Sequence, residues 1–78
     1  MEDVQRTVAN RIKTFRKKAG MSQTELAAKC NVSKSMISKI ESNKATVHLD
    51  MLMNIAKALG INFFDLLEQN SLVTKRRA

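Results

Sequence analysis

Almost every side chain here that could do chemistry is a hydrogen-bond donor. Lysine and arginine number 14 against seven acids, giving a formal net charge of +7, and one stretch, SQTELAAKCNVSKSMISKIESNK, from Ser22 to Lys44, interleaves lysines with hydroxyl and amide donors. Ammonium, amide and hydroxyl groups donate to phosphate oxygens, and lysine also donates to guanine O6 and N7. A surface this basic attracts nucleic acid or an acidic membrane face, and charge alone does not choose between them. Catalysis has no such support. With one histidine, His48, one cysteine, Cys30, and scattered acids, no nucleophile–base–orienter set, phosphate-cradling glycine loop or carboxylate pair can be assembled. Nor can the usual zinc site or an internal disulfide. No enzyme, metal, cofactor or small-molecule ligand is expected.

The donors need elements to hold them. With no proline and two glycines, Gly20 and Gly60, both placed where helices should stop, the chain reads as all-α. A first helix is expected over about Gln5–Ala19, with Val8, Ile12 and Phe15 on one face and Arg6, Arg11, Lys13, Lys17 and Lys18 on the outer one. Ser22 and Glu25, three apart, make a capping box for a second helix over about Gln23–Cys30. Ser33 caps a third over about Lys34–Glu41, and Asn31 supplies the left-handed residue that a sharp turn between them needs. Leu26, Ala27, Cys30, Ile37 and Ile40 point inward, with Val32 plugging the turn. A fourth helix follows near Leu49–Leu59, where Leu49, Leu52, Ile55, Ala56 and Leu59 share a face, with Thr46 as its candidate cap. A short fifth helix, about Asn62–Glu68, closes the fold. Residues 1–70 form one domain with a small core, and 71–78 a basic, frayed tail.

Two capped helices with almost nothing between them resemble the helix-turn-helix of the lambda-repressor/Cro-like (xenobiotic-response-element) family. The likeness runs from about Ile12 to Leu67. Arg16 matches in the first helix, Ser22, Gln23, Leu26 and Ala27 in the second, and Val32, Ser33, Ile37 and Glu41 in the turn and third. Downstream, LDMLMNIAKALGINFFDLL is similar to the closing helix pair of the family. Three positions depart: Asn31 where glycine is frequent, Val47–His48 where proline and Ser or Thr start the fourth helix, and Phe64 where the family has a polar or acidic residue. The Phe63–Phe64 pair resembles the restriction–modification controllers among the small stand-alone members.

The resemblance implies a five-helix fold whose third helix enters the major groove of double-stranded DNA. Lys34, Ser35 and, one turn later, Lys39 are carried over as base readers, the two lysines looking out from nearly one side. Met36 adds a thioether that could pack on a thymine methyl. Phosphate donors are sought in Arg16, Lys17, Lys18, Ser22, Gln23, Ser33, Ser38, Asn43 and Lys44. By resemblance, Arg16 also pairs with Glu41.

INFFDLL, from Ile61 to Leu67, holds more apolar residues than one side of a short helix can bury. Ile61, Phe63 and Leu67 are expected in the core, and Met53, Phe64 and Leu66 in a two-fold interface between copies, so that a homodimer reads a palindromic operator. The expected function is sequence-specific transcription regulation. Two readings stand beside it: a protein-binding adaptor or antitoxin on the same fold, and the DNA-binding part of a longer regulator. Met1–Asn10 is polar and no apolar run nears the about 20 residues that cross a bilayer, which points to a cytoplasmic, nucleoid-associated protein without a membrane partner.

Overall fold

A computed structural model describes residues 4–67. Five helices follow one another: α1 (Val4–Lys18), α2 (Gln23–Cys30), α3 (Lys34–Glu41), α4 (Leu49–Leu59) and α5 (Phe64–Leu67). No strand occurs among the described residues. The basic tail and the expected end of α5 at Glu68 lie outside them.

The punctuation is local chemistry. Four times a helix is followed within two residues by a left-handed one: Gly20 (φ 72°), Asn31 (φ 60°), Asn43 (φ 61°) and Gly60 (φ 72°). At each, a backbone N–H just beyond folds back onto an orphan helix carbonyl: Met21 to Arg16, Val32 to Ala27, Lys44 to Lys39 and Ile61 to Ala56. Starts are capped as consistently in the first half. Ser22 Oγ accepts from the Glu25 N–H at 3.0 Å while Glu25 Oε1 accepts from the Ser22 N–H at 2.8 Å. Ser33 Oγ accepts from the Met36 N–H at 3.1 Å.

The start of α4 differs from the expectation. His48, not Thr46, occupies the cap position, and its side chain makes no capping bond; imidazole lacks the short oxygen that reaches the second or third N–H. The start of α5 also moves, because Asn62 stays outside the helix. Its Oδ1 accepts from the Phe64 N–H at 2.9 Å, and Asp65 Oδ2 accepts from the Asn62 N–H at 3.2 Å.

All five helices feed one core of Val8, Ile12, Leu26, Ala27, Cys30, Ile37, Ile40, Leu52, Ile55, Ala56 and Leu66. Ala27, buried where α2 and α3 pack together, lets the two helices approach. Helix α4 backs α2, and the Asn54 side-chain amide donates to the Cys30 carbonyl at 3.0 Å. Helix α5 packs on α1, where Arg11 donates to the Asp65 carbonyl. Arg11 is therefore half-buried, not on the outer face. Two apolar assignments also change. Leu66 is fully buried, whereas Leu49 is 61% exposed.

Candidate nucleic-acid interface

Helix α3 is fixed from beneath and bare above. Ile37 and Ile40 are buried in the core, Glu41 is buried at its C-terminal end, and Lys34, Ser35, Met36 and Lys39 are exposed. At about 100° per residue, Ser35 and Lys39, four apart, stack at the centre of the exposed arc. Lys34 and the half-buried Ser38 flank them on one side, and Met36, 39% exposed, on the other. Lys34 and Lys39 are thus separated by about 140° around the helix and do not share a side as expected. The result is a broad face, with two ammonium groups spread across it and a hydroxyl between.

Most of the other expected donors are open to solvent. Ser22 and Ser33 are exposed, and each hydroxyl, while accepting its capping bond, keeps a proton to donate. Lys17, Lys18 and Lys44 are exposed; the Lys18 ammonium lies 5.8 Å and the Arg11 guanidinium 5.4 Å from the centre of the Phe15 ring. Asn43 is half-buried, and its Oδ1 accepts from Gln5 Nε2 at 3.3 Å, which leaves its own amide N–H groups unspent in that bond.

Arg16 is the exception. It is 7% exposed and spent internally: Nε and Nη2 fork onto Glu41 Oε2 and Oε1 at 2.6 and 3.0 Å, and Nη1 donates to the Met21 carbonyl at 2.7 Å. The hydrogen bond to Glu41 raises its pKa above the ordinary arginine value, with the opposite charge adding and burial opposing. Three of its five N–H donors are spent and the group is buried away from the surface, so Arg16 drops out of the donor set; the pair with Glu41 is what the resemblance implied. Gln23 joins the same carboxylate, donating through Nε2 to Glu41 Oε1 at 3.1 Å.

A second surface lies on α4 and α5. Phe64 is 66% exposed, Met53 52%, and Leu49 one turn before Met53 is bare as well. Phe63 stacks on Phe64 with centroids 4.6 Å apart, and Met53 and Phe63 line one shallow depression with Ile61. Leu66, expected here, is in the core; Phe63 packs half-buried against the core as expected, and Leu49 is the exposed apolar residue that sequence reasoning missed. A signal for Leu49 existed: on a helical wheel it sits at the margin of the buried stripe, next to Met53, at the first residue of α4.

The remaining sequence candidates take quiet places. Cys30 is buried and its thiol pKa is pushed up by burial, which holds it protonated and unreactive. Among the described residues no cluster of His, Cys, Asp or Glu could hold a metal ion. No helix of the described residues is long and apolar enough to cross a membrane.

A family model described as helix-turn-helix matches residues 12–66. The immunity repressor protein of Bacillus phage phi105 is 35% identical over 72 residues, which are 92% of this chain and 50% of that protein. Control protein C.BamHI of Bacillus amyloliquefaciens is 43% identical over 51 residues, 65% of this chain and 63% of that protein. Among solved structures, the fold is similar to the hypothetical transcription factor NHTF from Neisseria, with a TM-score of 0.86 at 29% identity over 94% of this chain and 84% of that one. The restriction–modification controller protein C.Esp1396I gives 0.78 at 33% identity over 86% and 90%. The chain spans 50% and 63% of the length of these two curated relatives.

Proposed function

Because this chain belongs to the lambda-repressor/Cro-like helix-turn-helix family, a family of transcription regulators and not of enzymes, we propose that it is a sequence-specific regulator that binds double-stranded DNA. It acts as a homodimer on a palindromic operator, each α3 lying in the major groove. One observation carries the reading. The exposed arc of α3 consists of Lys34, Ser35, Met36 and Lys39, on a helix whose opposite side is locked into the core and whose N-terminus is capped. The two lysines donate to guanine edges, Ser35 donates or accepts, and the Met36 thioether meets a thymine methyl. Lys17, Lys18, Ser22, Gln23, Ser33, Ser38, Asn43 and Lys44 donate to phosphates and set the register. The names of the relatives, a phage immunity repressor and a restriction–modification control protein, support regulation as the outcome.

Dimerisation is assigned to Met53 and Phe64, with Leu49 and Phe63 beside them. Large exposed apolar groups that adjoin one another mark a surface with a partner, and a two-fold contact there suits a palindromic site. Selection of bound sequences from a random duplex pool tests the whole reading. Enrichment of an inverted repeat, with affinity falling about 10³–10⁵-fold between 50 and 200 mM salt for 6–10 neutralised phosphates, is expected. A pool that returns no enriched motif at low salt refutes it.

A further inference from the structure

Glu41 lies at the inner end of α3, yet one of its three bonds reaches a side chain at the start of α2. Its Oε2 accepts from Arg16 Nε at 2.6 Å, and its Oε1 accepts from both Arg16 Nη2 at 3.0 Å and Gln23 Nε2 at 3.1 Å. The carboxylate and guanidinium are nearly sealed, with side chains 3% and 9% exposed, whereas Gln23 is half-buried and reaches the surface beside the Ser22 cap. One N–H of the Gln23 amide is thereby consumed, and its second N–H and its carbonyl oxygen are not bound in this way. We infer that the Arg16–Glu41 pair is a positioning device, which holds Gln23 in its DNA-ready orientation before any duplex arrives. The inference rests on the DNA-binding reading above.

Three features make the device effective. Arg16 is anchored by its bond to the Met21 carbonyl at 2.7 Å, so the guanidinium that holds the carboxylate is itself tied to the loop before α2. The pair is neutral as a whole and adds no net repulsion toward phosphate. A glutamine has three rotatable side-chain bonds, and fixing them in the free protein removes an ordering cost that binding would otherwise bear, worth about tenfold in affinity for each protomer. Because the Gln23 contact is uncharged, it releases no counterion and leaves the salt slope alone.

The test uses the full chain and a duplex selected as above, with four proteins: wild type, Gln23→Ala, the double variant Arg16→Met/Glu41→Met, and the triple variant. Replacing a buried ion pair by apolar residues is frequently tolerated. Expected are a loss of about tenfold or more per protomer for Gln23→Ala, a similar loss for the double variant with unchanged salt slope, and no further loss in the triple. A double variant that binds as wild type does, or losses that multiply in the triple, overturns the inference while DNA binding stands. Wild type that binds no duplex overturns both. If the double variant does not fold, NMR relaxation of the Gln23 side-chain amide in wild type decides. An amide as rigid as the backbone in the free protein supports the device, and one that is mobile until DNA is added refutes it.

Discussion

Helix α3 and the α4–α5 pair each leave part of their surface outside the shared core, and what they leave there differs in chemistry. On α3 the exposed residues are two lysines, a serine and a methionine; on α4 and α5 three large apolar side chains, Leu49, Met53 and Phe64, are exposed beside the polar Asp50, Asn54 and Lys57. Exposed ammonium groups are well solvated without a partner, so the α3 face is stable alone and gains only when an anion replaces water. Exposed phenylalanine and leucine gain at once from being covered, at roughly 25 cal/mol for each Å² of apolar area. One small core therefore presents a surface that can wait and a surface that calls for closure. Their ends differ in the same direction: α2 and α3 are closed by serine caps, while α4 begins at His48 without one.

Removing both lysines is the strongest test of the contrast. Lys34→Ala with Lys39→Ala is expected to lower operator affinity by at least about 10³-fold, since each good base contact is worth about 1–3 kcal/mol and a dimer makes them twice. Fluorescence anisotropy checks this, and sedimentation should show the dimer intact. A variant that still binds its site moves readout away from α3. Phe64→Asp is the converse. It is expected to give monomers by sedimentation and to lower operator affinity about 10²–10⁴-fold through lost linkage of the half-sites, with the fold retained by circular dichroism. Dimers that survive place the interface elsewhere.

Smaller changes sharpen the difference between the two kinds of helix start. Ser33→Ala removes the bond to the Met36 N–H and is expected to cost about 1 kcal/mol of unfolding free energy in urea. His48→Ser supplies the oxygen that α4 lacks and is expected to add about 0.5–1 kcal/mol by the same measurement. Should the serine add nothing, α4 is already satisfied by solvent or by Asp50, whose Oδ1 accepts from the Met51 N–H at 3.1 Å.

The contrast also explains what could be read in advance. The spans of α2, α3 and α4 are legible because their boundaries rest on residues that act within four positions of themselves: Ser22 with Glu25, Ser33, Asn31 and Gly60. The outward set on α3 follows from those boundaries together with a 3.6-residue period and the family likeness. What depends on distant chain does not follow. Periodicity puts Leu49 at the margin of the apolar stripe of α4, and only the packing of the neighbouring elements leaves it 61% exposed while Leu52 is buried. Leu66 looks spare within INFFDLL until α5, four residues long, is laid against α1 at an angle that the turn from Gly60 to Phe63 sets. Arg16 has the charge of a phosphate donor, and only its enclosure by Glu41 and Met21 withdraws it. Composition shows which groups exist, and tertiary packing shows which are already engaged.

Cys30, the single cysteine of the chain, lies under the joint of α2 and α3, covered and held protonated. A thiol reagent can therefore modify the protein only in the instants when that joint is open. The rate of labelling, set against the rate for an unfolded chain, measures how frequently the reading unit breathes, with no engineered probe. The same clock run with and without operator DNA would report how far binding slows the opening.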